Sequence, residues 1–288
     1  MMLSLDDASK PELVADWVEL ELSLGEEYLS RAKTSSMVRD SSGEDPSEAF
    51  ISDVWGHLRR RHGMYQEKFF QIEDDLVTRN ASSVNGRLEY EICLFFSLYG
   101  ASWLTGSNPK LFERMTAEAI ASHLGGQFFI FGWPVLPDVQ LDIAERVKQA
   151  ALLLRERFVE DPGRRYKDRG VDVICWKPFA EPDEDTRRSG QLVVLSQCAA
   201  GHDWRGKTRE LPMGSWIQYI HWANEPMPAF AVPCVIIEDL WHDINREVEG
   251  LVFDRVRLVN HLSQGVQQLG LREELEIWKT EQIDEHRA

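Results

Sequence analysis

This sequence predicts a mixed α/β (α+β) fold in which a mainly helical N-terminal region precedes a mixed central sheet flanked by helices. Three observations carry that reading. Apolar residues recur at helical spacing through most of residues 1–107. From Asn108 onward the pattern reads α-β-(α)-β-β-α-β-α. The strands come in runs mixed with helices, without the strict βαβ alternation of a doubly wound sheet. The expected division is therefore 1–107 and 108–288.

Element by element, Leu13, Trp17, Leu20, Leu24 and Tyr28 fit a helix over residues 11–33, and VRDSSGEDPS (38–47) reads as a loop. Residues 47–62 are helical in pattern, and EKFFQIEDDLV (67–77) suits a strand or hairpin. RLEYEICLFFSLYG (87–100) is a buried helix stopped by Gly100. Asn108-Pro109 starts a helix through KLFERMTAEAIASHL that ends at Gly125-Gly126. Strand-length runs follow at 127–133, 171–179, 191–200 and 229–237, with helical spacing at 139–158 and 203–222 and in a tail over 240–264. DPGRRYKDRG (161–170) and AEPDEDTRRSG (180–190) are polar connectors, the second a hairpin loop.

The 288 residues are 43% hydrophobic and carry a net charge of −16, as suits a folded protein with a real core. That charge weighs against coating by polyanions and asks for a local basic patch, a metal or a basic partner if the substrate is nucleic acid. Basic clusters stand at Arg59-Arg60-Arg61 and Arg164-Arg165-Tyr166-Lys167. No apolar run reaches the ~20 residues a membrane span needs, and the N-terminal stretch lacks a signal-peptide pattern. A cytoplasmic protein is expected, with Cys93, Cys175, Cys198 and Cys234 as reduced thiols. No zinc spacing, G-x-S-x-G elbow or H-E-x-x-H occurs, and Trp241-His242-Asp243 reads as part of a helix start.

GHDWRGKT (Gly201 to Thr208) fits the phosphate-loop pattern G-x-x-x-x-G-K-[ST] after an apolar strand. Such a loop curls backbone N–H groups round phosphates at a helix N-terminus. Here its interior carries an Asp and a Trp where phosphate must sit, and only one further clear strand follows. A nucleotide-binding protein is therefore a minor alternative.

Strand alternation gives a second reading of the same region. Asp172 shares a face with Ile174 and Trp176, and Gln197 shares one with Val193 and Leu195. If the two strands form a hairpin, Asp172 and Gln197 converge at one end of a sheet. An acid at the edge of an apolar strand is costly unless it is bound, and a divalent cation would bind it. Hydrogen bonding of Asp172 to the turn at Arg169-Gly170, and of Gln197 to nearby backbone, are the competing explanations.

Phe112-Glu113 on a helix, Gly170-Val171-Asp172 on one strand and Gln197-Cys198 on the next follow one another in the order of a known pattern. The chain over residues 109–237 resembles the PD-(D/E)xK restriction-endonuclease superfamily, in its Mrr-like branch, which reads F-E, G-x-D and Q-x-K. The resemblance implies a restriction-endonuclease-like core and a metal-dependent DNA endonuclease, of a kind that serves in restriction or phage defence. It implies that Asp172, Glu113 and Gln197 hold Mg2+ (or Mn2+). The position of the family lysine carries Ala199, so either the fold is catalytically silent or another cation serves. Lys207 is the first candidate, at the expected start of the next helix, with Lys167 and Lys177 behind it. The ion would activate a water, and Lys207 would stabilise the developing charge. Glu113 as an ordinary helix N-terminal acid and Lys207 as a solvated helix residue are the plainer alternatives. The implied partner is DNA, with a protein that supplies basic surface or activation as a second. An inactive nuclease-fold subunit that docks a partner is the rival function.

Overall fold

The computed structural model describes residues 7–100, 109–132, 142–162, 169–180 and 188–287. In chain order the first elements are α1 (Pro11–Leu24), β1 (Tyr28–Ser30), α2 (Arg31–Ser42), α3 (Glu48–Met64), β2 (Phe70–Glu73), β3 (Leu76–Arg79) and α4 (Arg87–Tyr99). Next come α5 (Pro109–Leu124), β4 (Gln127–Ile130), α6 (Ile143–Leu153), β5 (Arg157–Phe158), β6 (Val173–Lys177) and β7 (Leu192–Cys198). A 3-10 turn (Trp204–Lys207), α7 (Met213–Tyr219), β8 (Ile220–His221), β9 (Met227–Ala231), α8 (Glu238–Val248), β10 (Leu251–Phe253), α9 (Arg255–His261) and α10 (Leu269–Arg287) complete the chain.

The chain divides into two compact units. One joins Met1–Ser107 with Pro233–Val235 and Arg255–Ala288, and the other joins Asn108–Val232 with Ile236–Asp254. The first break thus falls where the sequence pattern changes, but residues 255–288 belong to the first unit and not to the second. The reason is visible on α10, where Trp278 stacks on Phe96 of α4 at 4.8 Å between ring centroids and Lys279 donates to Glu91 at 3.0 Å.

The first unit holds a three-stranded antiparallel sheet, ordered β1-β3-β2. Its interior holds a cluster of buried charge. Arg61 and Arg255 reach Asp16 at 2.7 Å each, and Arg61 also reaches Glu19 at 2.7 Å, all four side chains being buried. Tyr90 donates its hydroxyl to Glu19 at 2.6 Å, Tyr65 accepts from Arg255 Nε at 2.8 Å, and Ser97 binds Asp16. Two acids and two arginines cancel, and Ser97 and Tyr90 each donate to the second oxygen of one acid, while Arg61 Nε and Arg255 Nη1 stay buried without a hydrogen-bond partner.

The second unit is built on a mixed five-stranded sheet ordered β10-β9-β7-β6-β4. Strands β4, β6 and β7 run antiparallel in sequence, and β7, β9 and β10 run parallel. The fold class read from the sequence, mixed α/β with a mixed central sheet flanked by helices, is the fold class observed. Helix α5 covers one face, with the Cys175 thiol on the Ala117 carbonyl at 3.7 Å. The other face packs Ile174, Trp176, Val193 and Leu195 against α6 and α7 through Val147, Ala150 and Trp216.

Several boundaries differ from the sequence reading. The helix expected over 11–33 is two helices split by β1, and α2 runs on to Ser42 inside the expected loop. Gly25 at φ 136° ends α1, and Ser30 caps α2 by accepting from the Lys33 N–H at 3.2 Å. The tail over 240–264 contains β10, a short strand hidden within helical spacing. Of the tryptophans at 204, 216, 222 and 241, Trp216 is fully buried and the other three are partly exposed.

Candidate active site

The chemistry-bearing residues of the second unit gather at the end of β6 where Asp172 stands. Arg169 and Gly170 precede it with φ of 52° and 74°. A side chain at Gly170 would approach the Glu210 carbonyl to 2.8 Å, so this tight entry requires glycine. Both Phe131 and Gly132, just past β4, donate their N–H groups to the Asp172 carbonyl, at 2.7 and 2.8 Å. The Asp172 N–H in turn meets the Ser196 carbonyl at 2.9 Å, although Ser196 is already paired with Val173. Two residues therefore share one partner on each side, which is the hydrogen-bonding pattern of a β-bulge.

The bulge decides where Asp172 points. Val171, Ile174 and Trp176 all belong to the core packed on α6 and α7, so alternation slips by one residue between 171 and 174. Asp172 is turned to the α5 side instead of sharing a face with Ile174 and Trp176. Its Oδ2 accepts from the Cys198 N–H at 2.7 Å. Its Oδ1 lies 2.8 Å from the place a Cβ on Gly132 would occupy.

Two α5 side chains meet the same point. Glu113 Oε2 lies 2.7 Å from it and Lys110 Nζ lies 2.8 Å from it. Lys110 and Glu113 are one helical turn apart and pair directly, Nζ standing 2.7 Å from Oε2 and 3.0 Å from Oε1. Each is 7% exposed. Gly132 is thus the bare floor of a small space bounded by two carboxylates and an ammonium.

Arg146 of α6 is a further cation within electrostatic reach. It is 3% exposed, lies over the Phe129 and Phe131 rings, and donates to the Ile130 carbonyl at 2.5 Å. Burial lowers its pKa, and the charge on Glu113 pulls the other way. The Cys198 thiol is also held protonated, by burial first and then by Asp172 and Glu113.

Gln197 is not in this group. It follows Val193 and Leu195 at two-residue spacing, and its side chain lies on the α6/α7 side, where Nε2 donates to Glu210 Oε2 at 3.1 Å. The hairpin of β6 and β7 forms as the sequence predicts, but the bulge sends Asp172 and Gln197 to opposite faces. Lys207 belongs to the single 3-10 turn beyond β7, and it pairs with Asp203 at 3.4 Å. Lys177 ends β6 far from Asp172, beside Gly125 at the α5–β4 turn. Lys167 lies outside the described residues. Ala199 is buried at 1% exposure, its N–H donating to the Ala231 carbonyl at 2.9 Å.

The phosphate-loop reading fails on geometry. After Gly201 the chain makes one 3-10 turn in place of an α-helix N-terminus, and Asp203 Oδ1 lies 2.8 Å from where a Gly201 side chain would start. Lys207 is engaged by that same Asp203. The Trp241-His242-Asp243 trio sits in the first turns of α8.

No family model matches this chain, and no curated protein does. Among solved structures, restriction endonuclease FokI is similar across 91% of this chain and 46% of that one, at 9% identity and a TM-score of 0.21. This chain therefore spans under half of that enzyme. Among the described residues, no group of three or more His, Cys, Asp or Glu side chains is arranged to hold a metal ion, and no helix is long and apolar enough to cross a membrane.

Sequence reasoning missed Lys110, Gly132 and Arg146. Lys110 was within reach of it: in PKLFE the lysine precedes Glu113 by three residues, which puts both on one helix face. Gly132 at the end of an apolar strand is also a sign of a bulge or close approach.

Proposed function

We propose that the second unit is a metal-dependent phosphodiesterase acting on DNA, with Asp172, Glu113 and Lys110 at its centre. The observation that carries this reading is the meeting of two carboxylates and an ammonium at the point a Gly132 side chain would fill. The donor set suits a hard divalent cation such as Mg2+ or Mn2+, which takes one or two carboxylates and completes its shell with water and substrate phosphate. Asp172 and Glu113 would hold it, and when bound it would supply an activated water and neutralise charge on the phosphate. Gln197 has no part in that set, so two protein carboxylates suffice in this proposal.

Each side chain has a separable task. The Cys198 N–H fixes Asp172 Oδ2, which turns Oδ1 toward Gly132. Glu113 is oriented by its helix and by Lys110. An incoming phosphate takes Lys110 as its own partner, and the ammonium then stabilises the charge that develops on the phosphoryl oxygens. Lys110 thereby fills the role expected of Lys207, while Arg146 adds positive potential within reach of Glu113.

This arrangement favours an active enzyme over a silent subunit, because the lysine absent at Ala199 is replaced within the same cluster. A role in restriction or phage defence, with a partner that brings basic surface to an acidic chain, is part of the proposal. The test is incubation of supercoiled plasmid with the protein and Mg2+ or Mn2+. Nicked or linear product that disappears with EDTA and with Asp172→Ala supports the reading. Product formation that is indifferent to both rejects it.

A further inference from the structure

On the sheet face opposite Asp172, the second unit contains a cavity of about 490 Å3 that none of the chemistry above uses. Its volume lies in the roughly 300–1,000 Å3 range of small-molecule sites. Gln197 of β7, Thr208, Phe230 of β9 and Glu247 at the end of α8 help line it. Its walls are part apolar, through Phe230, Leu211 and Met213, and part strongly accepting.

The decisive feature is the Gln197 amide. The residue is 6% exposed, its Nε2 is committed to Glu210, and its Oε1 is buried without a hydrogen-bond partner. An acceptor left unmet inside a protein costs about 1–3 kcal/mol. Oε1 itself has almost no exposed surface, so a ligand with an N–H or O–H donor meets it, and removes that cost, once the Gln197 side chain turns toward the cavity it lines.

The surroundings choose the charge of that donor. Glu247 and Glu249 line the cavity, and Glu210 holds Gln197 from beside it. The Glu247 carboxyl is held below its usual value by the Thr208 hydroxyl, at 2.6 Å, and by Arg209, so it stays ionised. Among the described residues Arg209 is the one cation of the lining, and its side chain is 74% exposed and tied to Glu247 at 2.9 Å. Helix α8 also ends here, at Val248 and Glu249, so the negative end of its dipole faces the same space. Phosphate is repelled by such a site, and a cation is drawn to it.

We propose that this cavity binds an organic cation with N–H donors on an apolar stem, a guanidinium or alkylammonium group. The head donates to Gln197 Oε1 near Glu247 and the α8 carbonyls, and the stem packs on Phe230 and Leu211. Such a group comes either as a free small cation or as an arginine or lysine side chain of another protein. The site is separate from the proposed nuclease centre and stands whether or not DNA is cleaved.

Calorimetric titration of the intact protein with agmatine, with a capped arginine (N-acetyl-arginine N-methylamide) and with neutral n-propylurea tests this. Saturable binding of a cationic probe is expected, at least tenfold weaker in Gln197→Met and weakened in Glu247→Gln. Tighter binding of agmatine identifies a free cation as the natural ligand, and tighter binding of the capped arginine identifies a protein side chain. No saturation by either cation, or equal binding of n-propylurea, overturns the proposal. So does unchanged affinity in Gln197→Met. If thermal unfolding shows Gln197→Met to be misfolded, unchanged affinity in Glu247→Gln overturns it instead.

Discussion

Lys110 Nζ stands 2.7 Å from Glu113 Oε2, one turn back along the same buried helix face, and both groups point at the space above Gly132. This lysine can be replaced without disturbing the sheet, because it comes from α5 and not from β7. Lys110→Met keeps the apolar stem and removes the charge. Metal-dependent cleavage should fall by about 10²- to 10³-fold, the size seen when one stabiliser of a developing negative charge is lost. Single-turnover rates under saturating Mn2+ measure this, with circular dichroism as the check on folding.

Gly132→Ala should act on the same site by a different route. The new methyl would lie within 2.8 Å of Glu113 Oε2, Asp172 Oδ1 and Lys110 Nζ, so all three must move. A misplacement of about 1 Å costs on the order of 10²-fold in rate. Gly206→Ala, where a Cβ meets nothing within 4 Å, should leave the rate unchanged. Parallel rate measurements on the two variants decide whether the bare floor at 132 matters.

The first unit should be sensitive to loss of a single buried charge. Arg255→Met strands Asp16 and Glu19 with one arginine between them, which costs about 3–5 kcal/mol when a buried pair is broken from one side. Combining it with Asp16→Leu should recover part of that loss, since two charges then leave together. Urea unfolding followed by circular dichroism reads both.

Acid should weaken this unit through Asp16. Burial raises its pKa, but the nearby Arg255 and Arg61 outweigh burial and leave it below the ordinary 3.8. The unfolded chain therefore takes up the proton first as pH falls. The contribution is complete above about pH 4–5 and is lost progressively below 3.8, as pH falls through the folded value. Asp16→Asn should flatten that acid limb in a pH series of urea midpoints, and an unchanged limb would assign it to other groups.

The fold class was legible because patterning is local: the hairpin of β6 and β7, the buried helix at 87–99 and the α5 start at Pro109 are written in spacing, glycine and proline. Strand β10 was not, since three residues in a helical stretch gain their pairing from β9, a long-range partner. Within the site, Asp172 and Glu113 come together from their motifs, and Gln197 keeps the face it shares with Val193 and Leu195, whereas Asp172 leaves the face its spacing gives it. A period-2 argument assumes an unbroken strand, and the shared hydrogen bonds at Asp172 break it. Lys110 lies far in sequence from the strand that carries Asp172, and only its three-residue spacing from Glu113 on one helix marks it.

The most direct test of the account is a comparison of the two lysines. Plasmid cleavage with Mn2+ is measured under single-turnover conditions for the parent protein, Lys110→Met and Lys207→Met, each confirmed as folded. Cleavage should collapse in Lys110→Met and persist in Lys207→Met, whose lysine is occupied by Asp203. Cleavage that survives in Lys110→Met and is lost in Lys207→Met would contradict it.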